Sequence, residues 1–378
     1  MKKKIGTLIF VLPLFFAVVL CASCGGQNAA GGVLNDSIEF RYAQLIHVYR
    51  HDGWLLAKVD NPWKKGEVLH TYIIVPKGRD VPANVPEGTL VRVPLERSVV
   101  FTSVHCGLLY ALGRLDAVKG VCDVQYIVSP VVKRFVEKGG AADMGSSVLP
   151  NIEKIIAANP DGVLVSPFAG GGYGKLGVAG LPLIECADYM EKSPLARAEW
   201  MRFFGLLYGC ESRTDSLFSV VESNYKNLCG KAALTSSRPA VMCDLMVGNV
   251  WYVPGGKSTI GQIFKDAGAN YLFGDNNESG SISLSPEKVI TKARNADYWI
   301  IRSGSNEDFT YNDLRKEKNV YSAFKPWSEK KIYLCNTFRV PFFDEEPFRP
   351  DFMLRDLVMI FHPELKIKAQ FRYFSPMK

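Results

Sequence analysis

Beyond residue 24 the chain has no CxxC pair, although seven cysteines remain: Cys106, Cys122, Cys186, Cys210, Cys229, Cys243 and Cys335. An odd number of cysteines, mostly set inside apolar strand and helix patterns, argues against a disulfide framework and for buried free thiols. Histidine is sparse, five in 378 residues, and His47, His51 and His70 sit in no tight cluster with Cys, Asp or Glu that would read as a metal site. There is no GxxxxGK[ST] stretch, and the one glycine-rich segment does not have the form of a GxGxxG turn opening a helix, so the common phosphate cradles are set aside. Charge of one sign is scarce as well. Without the lysines of residues 2–4 the chain holds 42 basic against 38 acidic residues, a net +4 that is too even to argue for nucleic acid. The apolar run at residues 5–20 is shorter than the ~20 residues a membrane span needs and is broken by Pro13.

That run has another use. Three lysines, an apolar stretch and the small residues of "CASC" form a secretion signal, expected over residues 1–23. The pair Ala22-Ser23 before Cys24 resembles a bacterial lipobox, which favours Cys24 over Cys21 as the acylated residue. The segment after it, "GGQNAAGGVLNDS", is low in bulky side chains and reads as a flexible tether over residues 24–36.

From residue 37 to 95 apolar and polar residues alternate between turn residues, as in "RYAQLIHVYRHDGWLLAKVDNP", and predict a β-rich extension built of hairpins. Its histidines read as half-buried sheet residues. The extension either braces the domain on its C-terminal side or reshapes one edge of a cleft.

The rest of the chain is written twice. "SVLPNIEKIIAANPDGVLVS" and "ISLSPEKVITKARNADYWIIR" each give a proline turn, Glu-Lys, two branched apolar residues, a short helix and a buried strand. Upstream of each lies a strand, a loop, a helix and a glycine stop. Each half is therefore a small α/β lobe, here residues 96–188 and 233–378, with largely parallel strands whose carboxyl-end loops line a crevice. Linker helices fill residues 189–232. The last of them, 211–231, places Leu217, Val220, Val221, Tyr225 and Leu228 on one stripe and is roughly 30 Å long.

Within the first lobe "PFAGGGYGKLGVAGLP" follows a strand. Either it is a plain loop or its glycines let Phe168 and Tyr173 approach a large flat ligand. In the second lobe Trp251 and Tyr252 lie near a glycine turn, with core packing as the alternative. Arg302 and Arg339 offer countercharge to an anionic group. His105 beside Cys106 invites a thiol-hydrolase reading, but adjacent residues point differently and no third group orients a base. His105 is also the one good cleft candidate for binding a free transition metal, which needs three or four converging ligands.

Four motifs in order, "RSVVFTSVHCGLLYALGRLDAVKGV", "PNIEKIIAANPDGVLVS", "RPAVMCDL…GGKSTIGQIFKDAGAN" and "SPEKVITKARNADYWII", resemble the substrate-binding proteins of ABC importers for metal chelates: cobalamin, ferric siderophores and haem. The resemblance covers residues 97–365 and implies a class III periplasmic-binding-protein fold, two Rossmann-like α/β lobes joined by a rigid helix. It implies a monomer without catalytic residues or a cofactor, lipid-anchored on the periplasmic side. Phe168, Tyr173, Trp251, Tyr252, Arg302 and Arg339 would then be ligand-binding residues. Glu153 and Glu287 occupy matching positions of the repeat, each opening a helix. Their bland role is to cap it, whereas the resemblance implies docking onto arginines of a permease dimer. Which chelate is carried stays open, because aromatic rings suit a corrin or porphyrin and arginines suit an anionic siderophore.

Overall fold

The structure, a computed structural model, describes residues 36–378. Cys24 and the signal and tether segments up to residue 35 lie outside the described residues.

The alternating segment forms one sheet of five strands in chain order: β1 (Asp36–Ile38), β2 (Ile46–His51), β3 (Trp54–Asp60), β4 (Val68–Pro76) and β5 (Thr89–Val93). The first three pairings are antiparallel hairpins and the last is parallel. His47 meets Asp60 at 3.1 Å and His51 stacks on Trp54, so these rings serve the sheet.

In the first lobe, β6 (Ser98–Val100), β7 (Val118–Val121), β8 (Ala142–Asp143), β9 (Gly162–Val165) and β10 (Leu183–Glu185) are all parallel, in the order β10-β9-β6-β7-β8. The strands run outward from β6 in both directions, which makes the gap between β6 and β9 the switch point, where loops leave on opposite faces and a crevice opens. Helices α1 (Ser103–Ala111), α2 (Pro130–Glu137) and α3 (Ile152–Ala157) connect the strands.

The second lobe repeats this plan with β11 (Ala240–Cys243), β14 (Asn270–Tyr271), β16 (Tyr298–Ser303) and β17 (Ile332–Asn336) in parallel, order β14-β11-β16-β17, closed by antiparallel β18 (Ser375–Pro376). A small antiparallel sheet of β12 (Met246–Val247), β13 (Val250–Pro254) and β15 (Ser281–Leu284) leaves after β11. Here the switch point lies between β11 and β16.

The joining helix spans Glu211–Ala233. Its buried stripe is Thr214, Phe218, Val221, Glu222, Tyr225, Leu228 and Ala232. Phe218 therefore takes the place expected of Val220, which is half exposed. The helix also holds the extension. Backbone N–H groups of Arg41, Tyr42 and Ala43 donate to the Glu199 carboxylate at 2.7–2.9 Å, and those of Gln44 and Leu45 donate to Glu191. Arg41 and the Tyr42 hydroxyl then reach Glu222 on the long helix at 2.5 Å. Residues 39–45 thus form a strap over the linker helices, in which buried carboxylates satisfy the amides of an irregular segment.

Candidate functional site

A cavity of about 690 Å³ opens at the switch point of the first lobe. Phe101 and Thr102 after β6, Ser147, Val148, Leu149 and Pro150 before α3, and residues between Ser166 and Leu176 after β9 line it, with Phe168 and Tyr173 in its wall. The lining is mostly apolar, and Val148, Leu149 and Phe168 stay exposed at 90%, 83% and 59%. Exposed apolar residues converging on one hollow of this size are the usual signature of a small-molecule site. Gly172, Gly174 and Gly177 do have GxGxxG spacing, but the helix they open is the single turn Gly174–Gly177, too short to offer a phosphate an aligned helix end.

A smaller hollow of about 170 Å³ shares Thr102 and Ser166 with the first and is lined also by Val104, His105, Asp188, Tyr189 and Arg197. His105 Nε2 lies 3.0 Å from Asp188 Oδ1, Arg197 Nε donates to Asp188 Oδ2 at 3.1 Å, and Thr102 Oγ1 is 2.9 Å from His105 Nδ1. Burial works against the Asp188 charge, yet His105 and Arg197 hold the carboxyl below its usual range. A hydroxyl, imidazole and carboxylate in a row resemble a hydrolytic triad. Here Thr102 is the N-cap of α1, accepting from the His105 amide, and Asp188 is already neutralised by Arg197, so the row is explained as helix capping around a buried ion pair. Cys106 is fully buried and its thiol is pushed up by burial, which removes the thiol nucleophile. Among the described residues no group of three or more His, Cys, Asp or Glu side chains is placed to hold a metal ion, and the seven cysteines from Cys106 onward are free thiols.

The second lobe departs from the expected site. Trp251 has no exposed surface: its ring packs against Trp299, Tyr321 and Phe324 at 5.7–6.0 Å, and its Nε1 donates to the Cys243 carbonyl at 3.1 Å. It is a core residue, because β13 turns alternate side chains to opposite faces and the inner face belongs to Trp251. Tyr252, on the outer face, is 46% exposed but does not line the 690 Å³ cavity. Arg302 is not free countercharge either. It is the penultimate residue of β16, near the second switch point, and forms a forked pair with Asp244, Nε–Oδ1 3.1 Å and Nη2–Oδ2 2.5 Å. Arg339 is exposed, lining a separate hollow of about 490 Å³ with residues 306–310 and the C-terminal strand, and sits 3.6 Å from Asp308. The structure thus brings Phe168 and Tyr173 together and leaves the other four elsewhere.

Sequence reasoning missed Phe338 and Phe343, both more than half exposed at the carboxyl end of β17. Their neighbours "FRVPFF" carried the signal, three rings in a proline loop. It also missed Glu346, buried after the helical turn Phe342–Glu345, whose carboxyl is pushed up by burial and only partly offset by Arg197 and Arg302. Glu153 and Glu287 are both exposed in first turns, but Asn151 and Ser285 are the caps: each side chain accepts the amide of the lysine three residues on, Lys154 and Lys288.

Comparisons with known proteins agree with this architecture. An uncharacterized lipoprotein of Methanocaldococcus jannaschii is 28% identical over 288 residues, 73% of this chain and 67% of the relative. Among solved structures, a periplasmic heme-binding protein from Pseudomonas aeruginosa superposes with a TM-score of 0.59 at 15% identity, covering 75% of this chain and 98% of that one. A protein of an ABC-type Fe3+-hydroxamate transport system from Saccharomonospora viridis does so with a TM-score of 0.56 at 17% identity, covering 71% and 94%. The family model described as periplasmic binding protein matches residues 99–337, both lobes and the helix between them, and the chain therefore belongs to the periplasmic binding protein family.

Proposed function

We propose that this protein captures a metal chelate, a cobalamin, haem or ferric siderophore, at the cleft face of its lobes and delivers it to an ABC-type permease dimer. In this reading Cys24 carries a lipid, residues 24–36 are the tether, and the protein works as a monomer on the outer side of the membrane. The observation that carries it is the 690 Å³ apolar hollow at the first switch point, walled by Phe168 and Tyr173. A bare metal ion needs converging charged ligands, whereas a chelate has already satisfied its metal and presents a broad, largely apolar face. The lobes are joined by a 23-residue helix rather than by extended strands, so a largely preformed cleft for a rigid ligand fits better than one that folds around a flexible solute. Tyr252, Arg339, Phe338 and Phe343 are the exposed groups on the second lobe available to the far side of such a ligand.

Titration of the purified protein with hemin, cyanocobalamin and a ferric siderophore, followed by absorption, tests the reading. One of them is expected to bind, and Phe168→Ala combined with Tyr173→Ala is expected to weaken it about tenfold, since each aromatic contact adds roughly 0.5–1.5 kcal/mol beyond its buried area. Affinity within twofold of wild type would move the ligand away from this hollow.

A further inference from the structure

The sheet of residues 36–93 precedes the part of the chain that the family model matches, yet one of its side chains lies 3.2 Å from Glu185, the carboxylate that Tyr173 in the hollow's wall bonds. We infer that His70, on β4, is a positioning residue of the binding site, fixing the Tyr173 ring through the Glu185 carboxylate.

Glu185 ends β10, the edge strand of the first lobe, and is buried to 8% exposure. A buried carboxylate only accepts hydrogen bonds and must find donors. It has two. Tyr173 Oη donates to Oε1 at 2.8 Å, and His70 Nδ1 lies 3.2 Å from Oε2. On the far side of the imidazole, Nε2 is 2.7 Å from Thr89 Oγ1, and the ring stacks on Tyr72 with centroids 4.6 Å apart. Tyr72 also accepts the Glu185 amide through its hydroxyl at 2.7 Å. The ring thus faces Glu185 with Nδ1 and Thr89 with Nε2. The series Thr89, His70, Glu185, Tyr173 runs from the extension to the wall of the hollow. Burial and the neighbouring Glu185 charge push the Tyr173 hydroxyl well up, which keeps it a donor.

Tyr173 needs such an anchor. It lies between Gly170 and Gly174, both at positive φ, and the backbone bonds made within 168–177 are local, Gly171 to Phe168 and Leu176 and Gly177 to Tyr173. Leu176 anchors the segment's end in the core, but a glycine-rich stretch whose backbone bonds are all short-range is costly to order, and a ring within it contributes to binding in proportion to how far it is already fixed.

This inference rests on the proposed ligand site, and two measurements on the full protein separate the two. Hydrogen exchange of the ligand-free protein reads the positioning. His70→Phe keeps a ring against Tyr72 and loses the donor, whereas His70→Asn loses the ring and sets an amide nitrogen near the place of Nδ1. His70→Phe is expected to raise exchange in 171–177 about fivefold relative to the amides of β9, with His70→Asn close to wild type. Tyr173→Phe, which cuts the same chain at its other end, should reproduce the rise and abolish any further effect of His70→Phe. Unchanged exchange in both single variants, or additive effects in the double variant, overturns the inference. Hemin titration is the second arm: where hemin binds, His70→Phe is expected to weaken it about tenfold and His70→Asn much less, as loss of a charge-assisted bond would do. Unchanged hemin affinity in His70→Phe also overturns it. If hemin, cyanocobalamin and the ferric siderophore all fail to bind wild type while exchange behaves as expected, the chelate reading falls and the anchoring of Tyr173 stands.

Discussion

Trp251 and Tyr252 are neighbours on β13, and strand alternation sends one into the core and the other to solvent. The dipeptide was legible as a pair of rings near a turn. Which ring faces inward depends on how the small sheet lies on the lobe, and a five-residue strand gives no parity until Trp299, Tyr321 and Phe324 are placed around it. Arg302 failed for a similar reason. Its partner Asp244 stands 58 residues earlier and meets it only because β11 and β16 are adjacent in the sheet. Phe168 and Tyr173 could be placed on a loop at a strand's carboxyl end because their glycines follow a buried strand, and the fold sets them in the wall of one hollow. Trp251→Ala should therefore destabilise the protein by about 3–5 kcal/mol, while Tyr252→Ala stays within about 0.5 kcal/mol, as read by urea unfolding. A Trp251→Ala protein of full stability that no longer bound ligand would return that ring to the cleft.

At the scale of elements, the spacing of apolar residues located the long helix to within two residues at its end, Ala233 for Lys231. The extension's strands were legible from alternation, but its attachment was not. The strap is held by Glu191, Glu199 and Glu222, acids in linker positions that read from sequence as surface charge. Only the fold shows that unpaired amides of 39–45 lie against them. Glu222 links the strap to pH. Burial would raise its pKa, but hydrogen bonds from Lys226 and Tyr42 and the charge of Arg41 outweigh it and bring the carboxyl from 4.5 down to about 2. A depressed carboxyl contributes stability that is present above 4.5 and is lost as pH falls through about 2. Glu191, raised by burial, has the opposite sign, so the informative quantity is a difference between two proteins. Glu222→Gln is expected to lose stability at pH 7 but to show a shallower decline between pH 4.5 and 2 than wild type in thermal unfolding. Parallel curves would mean that the strap is held by the Glu191 and Glu199 bonds alone.

For the molecule as a whole, the internal repeat carried most of the information, because two copies of one motif around a helix imply two lobes of largely parallel strands. What it did not reveal is a second contact between the lobes. Asp344 of the second lobe accepts the amides of Val128 and Ser129 in the first at 3.0 and 2.6 Å, and Gly107 on α1 leaves room for the Asp344 backbone, where any side chain would clash. Helix and contact together join the two lobes and leave less room for hinge motion than extended strands would. The repeat places one exposed glutamate on each: Glu153 opens the helix before β9, the strand beside β6, and Glu287 opens the helix before β16, the strand beside β11. Since Asn151 and Ser285 already cap these helices, capping does not require either acid. Two like charges, one on each lobe, suit a two-fold symmetric, basic partner, where they would set register and speed encounter more than they add affinity. On the proposed function, Glu153→Ala and Glu287→Ala are expected to leave folding and ligand affinity near wild type and each to lower uptake through the permease. The double variant should lower it further, and the defect should shrink at high salt, where exposed charges are screened. Full uptake by the double variant, at unchanged ligand affinity, would leave the two acids as first-turn residues with no partner in the membrane.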